Sequence, residues 1–203
     1  MDGRSLMILT DEINILYADI DALSDKAETR YADYVEYRKA LKDSDEYKKD
    51  KEYWDERRKN LASNIELPLN NYSGIVSGAS SHIEFSESKW SALEKYAEKN
   101  GVTTFVTLLT ILGLSLKILT KENKYLICIP EDSRPETGEY KKEMGVFSNF
   151  MFFEFDGADG RFTDKVKANQ KQLLELKKHH LFSGTENLRE AGAETGEVGN
   201  GIV

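Results

Sequence analysis

The sequence predicts a mixed α/β fold, a sheet packed by helices, and three observations carry that expectation. The first is the run 145–156, Gly-Val-Phe-Ser-Asn-Phe-Met-Phe-Phe-Glu-Phe-Asp, the most apolar strand-like stretch in a polar chain. Val146, Ser148, Phe150 and Phe152 alternate with Phe147, Asn149, Met151 and Phe153, so both faces are rich in apolar side chains and the run reads as an inner strand covered on each side. The second observation is a shorter β-type run at 124–130, and the third is a set of segments whose apolar residues recur at helical spacing. Ser148 and Asn149 interrupt the apolar strand. A hydroxyl and a carboxamide buried there must each find a partner. Two readings stay open for them: bonds to neighbouring backbone, or a functional site at the start of the strand.

At 203 residues the chain is long enough for one good core or two small lobes. Its 36 acidic and 28 basic residues give a net charge of -8. That balance argues against a general affinity for nucleic acid or an anionic membrane, although it leaves room for a local basic patch. Cys128, the single cysteine, sits in the apolar run 125–129 and reads as a buried, reduced thiol of a cytoplasmic protein. Met1 is followed at once by Asp2, Gly3 and Arg4 with no charged-then-apolar leader, so the expectation is a protein that is not secreted. The most hydrophobic segment, 103–120, is interrupted by Thr104, Thr107, Thr110, Ser115 and Lys117 and reads as a core helix rather than a membrane span.

Taken in order, Ser5 is the expected cap of a helix with Leu6, Leu9, Ile13 and Leu16 on one face, ending near Tyr17, with Asp2 and Gly3 as the turn before it. No strand precedes this helix to cover its apolar face, and an upstream part is therefore expected. From 28 to 63 the pattern is helical again, with Tyr31, Tyr34, Val35, Arg38 and Leu41, then Ser44 as a new cap before Tyr47, Trp54 and Leu61. The nearly balanced charges of 39–59 read either as a solvated face or as a docking patch for an acidic partner. Pro68, Asn70, Asn71, Ser73 and Gly74 form a linker. The expected organisation is thus a helical part at 1–66, a linker at 67–80 and a second part at 81–203.

In that second part, 81–85 reads as a short strand and Ser86 as the cap of a helix carrying Trp90, Leu93 and Ala97, stopped by Asn100 and Gly101. The next helix starts at Thr103, and apolar residues nearly all round it place it deep against a sheet. The strand 124–130 and a charged loop at 131–144, holding Arg134, Pro135 and Gly138, lead into the apolar strand. Asp156, Gly157 and Gly160 turn the chain, and Thr163 is the expected cap of a helix with Val166, Leu173 and Leu176 that runs to His179 and His180. Paired histidines at a helix end serve either its dipole and solubility or catalysis. The stretch 191–200 reads as loop and 201–203 as the first residues of a strand. No internal repeat, metal-spaced cluster or phosphate-binding glycine loop is present.

Together these pieces resemble the condensation-domain superfamily of nonribosomal peptide synthetases, relatives of chloramphenicol acetyltransferase built from two such lobes around a tunnel. Tyr31-Ala32-Asp33-Tyr34-Val35-Glu36-Tyr37 is similar to the family's Tyr-x-Asp-Tyr-x-x-Trp motif, with Tyr37 in the Trp position, and Tyr53-Trp54 to the pair that follows it. The strand from Gly145 to Phe150 corresponds to Gly-x-Phe-Val-Asn-Thr, with Asn149 agreeing and Ser148 and Phe150 departing. Other residues resemble the heterocyclization subfamily. Glu66-Leu67-Pro68-Leu69 is similar to the end of its Leu-Pro-x-x-Pro-x-Leu-Pro-Leu signature, without the two earlier prolines. Asp2-Gly3-Arg4-Ser5 fits the end of its Asp-x-x-x-x-Asp-x-x-Ser motif, while Asp2-Gly3 alone equally ends the ordinary His-His-x-x-x-Asp-Gly. Arg134-Pro135 lies where its Asn-Arg-x-Pro lies. Phe182-Ser183-Gly184 with Leu188-Arg189-Glu190 gives the strongest match, to Phe-Ser-Gly-Val-x-Val-x-Arg-Glu. Val146 and Asn149 depart from its Gly-Asp-Phe-Thr-Ser strand.

The resemblance implies an incomplete chloramphenicol acetyltransferase-like second lobe with a mixed sheet at 81–203, preceded by helices of the first lobe. It implies an acyl or peptidyl transfer between thioesters carried on the phosphopantetheine arms of peptidyl and aminoacyl carrier proteins, with no cofactor bound covalently and no metal, followed in the subfamily by cyclodehydration of Cys, Ser or Thr. An ordinary amide-forming domain and a non-catalytic structural or interaction remnant are the alternatives. The positions it singles out are Asp2 as a supporting carboxylate and Ser5 as a cap and site-lining hydroxyl, both at the catalytic centre, Ser148 and Asn149 as substrate-binding groups of the tunnel wall, and Arg134 as structural support paired with Asp2. Adjacent synthetase domains are the implied neighbours. Exposed sheet edges and helix faces favour a homo-oligomer, and the chain on its own is expected to be inactive.

Overall fold

Periodicity and caps set the elements of the computed structural model, which describes residues 1–22, 30–65, 67, 80, 82–135 and 138–195. In chain order these are α1 (Gly3–Ala18), α2 (Tyr31–Leu41), α3 (Asp45–Arg58), α4 (Glu87–Asn100), α5 (Thr104–Thr120), β1 (Lys124–Asp132), β2 (Ser148–Asp156), α6 (Phe162–Lys178) and α7 (Gly184–Thr195). The α/β class expected from the sequence is the one observed. β1 and β2 form an antiparallel pair. Its ends are closed by Ser133 N–H donating to the Phe147 carbonyl at 2.8 Å and Gly157 N–H donating to the Asn123 carbonyl at 2.6 Å. Among the described residues β2 has β1 as its sole strand neighbour, so the inner strand expected at 145–156 is paired on one edge.

The described residues divide into two compact units, one drawn from Met1–Asn60, Cys128–Met151 and His179–Asn200, the other from Leu61–Ile127 and Phe152–Lys178. Each unit is discontinuous in sequence, unlike the single division at 67–80 expected above. Most of that linker, Ser81, and the strand start at 201–203 lie outside the described residues.

In the first unit the cap of α1 is Asp2, whose carboxylate accepts the Ser5 N–H; Ser5 lies inside the first turn and is not the cap. The reason is chemical, since a carboxylate at the N-cap both accepts the orphan amide and meets the positive end of the helix dipole. Ser44 caps α3 as expected, through its acceptance of the Tyr47 N–H at 3.1 Å. Tyr34, Tyr140 and Phe147 form a buried aromatic cluster flanked by Tyr31, with the Tyr34 and Phe147 rings 4.5 Å apart. α3 fixes the segment before α7 from one face. Trp54 Nε1–H donates to the His179 carbonyl at 2.8 Å, Asp50 accepts the Leu181 N–H at 2.9 Å, and Tyr53 stacks on the His179 ring at 3.8 Å. The His179 ring also meets the buried Asp50 carboxylate, Nδ1 to Oδ1 at 3.0 Å, so it is held in place by α3, and His180 is exposed. Residues 191–195, expected as loop, continue α7.

In the second unit Thr103 caps α5 by accepting the Val106 N–H at 3.2 Å. Gly101, at φ 66, ends α4 in the left-handed conformation that glycine adopts without strain. α5 buries Val106, Thr107, Leu109, Thr110 and Gly113 but exposes Phe105, Ile111, Leu112, Ile118 and Leu119, so it is covered along one face rather than all round. The covered face is set by close approach: a Cβ on Gly113 would overlap the Phe155 ring. Asn169 of α6 donates to the Thr110 hydroxyl at 2.8 Å. Thr163 lies inside α6, which starts at Phe162, and its hydroxyl meets the Tyr96 phenol. Ser86 occupies the cap position of α4 without a hydroxyl cap bond, and 82–85 are not in a strand. Among the described residues no single helix is long and apolar enough to cross a membrane, and no cluster of His, Cys, Asp and Glu is arranged to hold a metal.

Candidate functional site

The sequence-predicted positions meet in the first unit. Asp2 Oδ1 accepts the Ser5 amide at 2.8 Å and the Ser5 hydroxyl at 2.7 Å, while Oδ2 accepts the Phe147 amide at 3.0 Å and lies 3.4 Å from Arg134 Nη1. The Gly145 N–H donates to the Ser5 hydroxyl at 3.0 Å, and the Asp2 N–H donates to the Gly145 carbonyl at 3.0 Å. Residues 2–5 and 145–147 are thus tied directly. Arg134 completes the tie: Nε donates to the Tyr140 carbonyl at 3.1 Å, Nη2 to the Glu143 carbonyl at 2.9 Å and Nη1 to Asp132 at 3.0 Å, and its plane lies 3.8 Å over the Phe147 ring. It is the fork geometry of a guanidinium that satisfies four acceptors and an aromatic face at once.

Burial by itself raises the Asp2 carboxyl, but the Ser5 hydroxyl and amide, the Phe147 amide and the Arg134 charge outweigh it and bring the pKa down to about 2. Asp2 is an ionised acceptor at neutral pH that organises the approach to β2. Ser5 is fully buried beneath it.

Two open grooves flank the start of β2. One, of about 270 Å³, is lined by Asp2, Gly3, Arg4, Pro130, Asp132 and Ser148 among others. The other, of about 300 Å³, has Tyr31, Tyr34, Val35 and Arg38 of α2 on one side, Ser183, Thr185, Glu186 and Arg189 around α7 on another, and Ser148 and Asn149 between them. The exposed Ser148 borders both, whereas Ser5 borders neither. Asn149 is buried, and its Oδ1 accepts the Gly184 N–H at 3.1 Å. A Cβ on Gly184 would overlap the Phe150 carbonyl oxygen, so glycine is what lets α7 start this close to β2.

α7 begins with a capping box. Ser183 Oγ accepts the Glu186 N–H at 3.1 Å, and Glu186 accepts the Ser183 N–H at 3.2 Å. Glu186 also takes the Tyr47 phenol at 3.0 Å and pairs with Arg38 and Lys42. Burial raises its carboxyl, but the Lys42, Ser183 and Tyr47 bonds lower it further than burial raises it. Burial and the adjacent Glu186 charge push the Tyr47 phenol upward, so it stays a donor. Neither Thr185 nor Glu186 is among the positions that the sequence singles out for a site. The signal for them is Ser183-Gly184-Thr185-Glu186, a capping-box sequence just beyond the point where helical spacing ends the last expected helix.

Residues 1–199 of this chain match the family described as Condensation domain. The chain belongs to that family. Among curated relatives, this condensation-domain segment is 25% identical over 205 residues to bacitracin synthase 1 of Bacillus licheniformis, covering 96% of this chain and 4% of that protein. It is 22% identical over 200 residues to pyochelin synthetase PchF of Pseudomonas aeruginosa, covering 97% of this chain and 11% of that protein. Among solved structures, it matches the EpoB NRPS cyclization-docking bidomain from Sorangium cellulosum with a TM-score of 0.80 at 23% identity, over 96% of this chain and 41% of that one. The first condensation domain of the CDA synthetase matches with a TM-score of 0.80 at 17% identity, over 100% of this chain and 45% of that one. The segment therefore has the fold of condensation-type domains and spans less than half the length of each of these proteins.

Proposed function

We propose that the chain is a segment of a nonribosomal peptide synthetase heterocyclization domain, and that the domain condenses two carrier-bound thioesters and then closes a ring. The observation that supports this most is the bond between Asn149 and Gly184, which sets the start of β2 against Phe182-Ser183-Gly184, the stretch with the strongest resemblance to the heterocyclization subfamily. The likeness to a cyclization-docking bidomain and to a pyochelin synthetase fits the same reading.

In the reaction proposed, the acceptor amine attacks the donor thioester carbonyl, the C–S bond breaks, and an amide and a free pantetheine thiol result. The Cys, Ser or Thr side chain of the acceptor then adds to the new amide carbonyl, and water leaves to give the azoline. Such chemistry gains mainly from holding two reactants in register. Ser148 and the Asn149 amide are the groups here that would orient a substrate carbonyl. Asp2 and Arg134 would hold the backbone that presents them, in place of exchanging protons, because Asp2 is ionised and already accepts four donors. Carrier proteins and adjacent synthetase domains are the proposed partners, phosphopantetheine arrives on the carriers, and the thiol of Cys128 suits the cytoplasm.

An ordinary amide-forming domain is the second reading, favoured by the match to the first condensation domain of the CDA synthetase at the same TM-score of 0.80. Because this chain spans 41% to 45% of these two matched chains, turnover is proposed for the domain and not for the segment alone. The test supplies loaded donor and acceptor carrier proteins to the 203-residue chain and to a version carrying flanking sequence, with products followed by mass spectrometry. Azoline from the longer version alone is the expected result. Amide without azoline would assign the ordinary reaction, no product from either would assign a non-catalytic remnant, and product from the 203-residue chain would mean that the segment carries the catalytic groups.

A further inference from the structure

We infer that the groove between α2, β2 and α7 is a subsite for an organic carboxylate, a ligand with an apolar or aromatic body and one carboxylate end. The inference goes beyond the proposed reaction and does not depend on it. It starts from Asn149. The Gly184 N–H is a donor, so the carboxamide atom facing it at 3.1 Å is the oxygen, and the orientation of the amide follows. Its NH2 group is left on the other side of a residue that is 8% exposed and borders the groove, with no protein partner among the described residues. That donor faces the groove, and a ligand oxygen there would give it the partner that the described residues do not.

Three further donors converge on the same space. The Ser148 and Thr185 hydroxyls have no hydrogen-bond partner among the described residues, and Arg189 has no ion pair there. Thr185 and Arg189 lie four residues apart on α7, on one face of the helix, with Thr185 in its first turn where the dipole favours negative charge. Arg38 and Lys42 are paired with Glu186 and Lys39 with Glu36, which leaves Arg189 as the lining cation without an ion pair among the described residues. Glu186, the carboxylate that borders the groove, is already held by Arg38, Lys42, Tyr47 and Ser183. A cation-rich concavity on a chain of net charge -8 is a local feature, and it concentrates anions where the surface at large repels them. The remaining wall, formed by Tyr31, Tyr34, Val35 and Val146, is aromatic and aliphatic, which suits an organic body better than a bare inorganic ion.

The experiment titrates the full chain, labelled with ¹⁵N, with phenylacetate, its neutral isostere phenylacetamide and inorganic phosphate. Phenylacetate is expected to bind about tenfold more tightly than phenylacetamide, the difference of one charge-assisted bond, and to move the Asn149 side-chain amide resonances. Arg189→Gln, at an exposed position without an ion pair among the described residues, is expected to keep the fold and erase that preference. Equal binding of the acid and the amide, a preference unchanged in Arg189→Gln, tighter binding of phosphate than of phenylacetate, or still Asn149 resonances at saturation would each overturn the proposal. Absence of binding by all three would do the same, and would leave the carrier-protein assay free to succeed or fail separately.

Discussion

Asp2 and Arg134, 132 residues apart in sequence, form a buried ion pair with Oδ2 3.4 Å from Nη1 and side chains 5% and 4% exposed. The pairing expected from the resemblance is thus present in the structure. Removing one partner leaves the other charged and enclosed, so Asp2→Ala and Arg134→Ala are each expected to lower unfolding stability by about 3–5 kcal/mol. Arg134→Lys should recover little, because an ammonium cannot reach the Tyr140 and Glu143 carbonyls and Asp132 together. Urea unfolding of the single and double variants checks this. A double variant as destabilised as the sum of the singles would mean that the two groups are not coupled.

The same carboxylate sets a pH dependence. Asp2 has a folded pKa of about 2, below the ordinary aspartate value of 3.8, so the folded state binds its proton less readily than the unfolded state. Stability from this group is fully present above the unfolded value and is lost as pH falls through the folded one. Unfolding midpoints followed downward from neutral pH should fall more steeply between about pH 4 and pH 2 in the wild type than in Asp2→Asn. Parallel curves would show that Asp2 is not the group responsible.

Much of this architecture is legible in the sequence because it is local. Helical spacing marks α2, α3 and α6, residue type marks the Ser44 cap, and the apolar runs locate α5, β1 and β2. Asp2 with Arg134 and the placement of Asn149 come from resemblance, since no spacing rule relates residues so far apart. The departures also have physical causes. Ser5 is a residue type that favours the cap, but Asp2 has the carboxylate and the extended backbone, with ψ 178. α7 escapes the pattern because 191–195 contain Gly192 and no large apolar residue to mark a helical face, while its start is fixed by a capping box and by ion pairs to Arg38 and Lys42 that pattern alone does not reveal. α5 is open on one side because hydropathy records how apolar a face is and not whether a neighbour reaches it.

α7 rests on its first turn. Ser183→Ala removes an acceptor for the Glu186 amide and a donor to the Glu186 carboxylate, bonds of 3.1 and 2.9 Å, and is expected to cost about 1 kcal/mol. Glu186→Ala should cost more, since it leaves Arg38, Lys42 and the Tyr47 hydroxyl without their shared acceptor. Hydrogen exchange localises the effect. Protection should drop first in α7 and in the facing residues of α2 and α3, and a uniform drop across the chain would show that α7 is not held by this turn.

Self-association is expected from the apolar residues exposed on α1 and α5. On α5, Phe105, Leu112 and Leu119 are 51%, 49% and 57% exposed and recur every seven residues, which lines them up in one stripe with Ile111 and Ile118 beside it. On α1, Leu6 and Ile13 are each 55% exposed at the same spacing, with Met7 at 67%. Fully burying a side chain of this size contributes about 1.5–3 kcal/mol, so pairing one stripe with its copy can offset much of the entropy lost on association. A dimer or larger species is the expected state in light scattering at rising protein concentration. Leu112→Glu, at a position already half exposed, should leave the fold intact by circular dichroism and shift the distribution toward monomer. If Leu112→Glu leaves the distribution unchanged while the matching Ile13→Glu variant dissolves it, association runs through α1. If the wild type stays monomeric at every concentration, both exposed stripes are tolerated in water and the inference from burial to assembly fails.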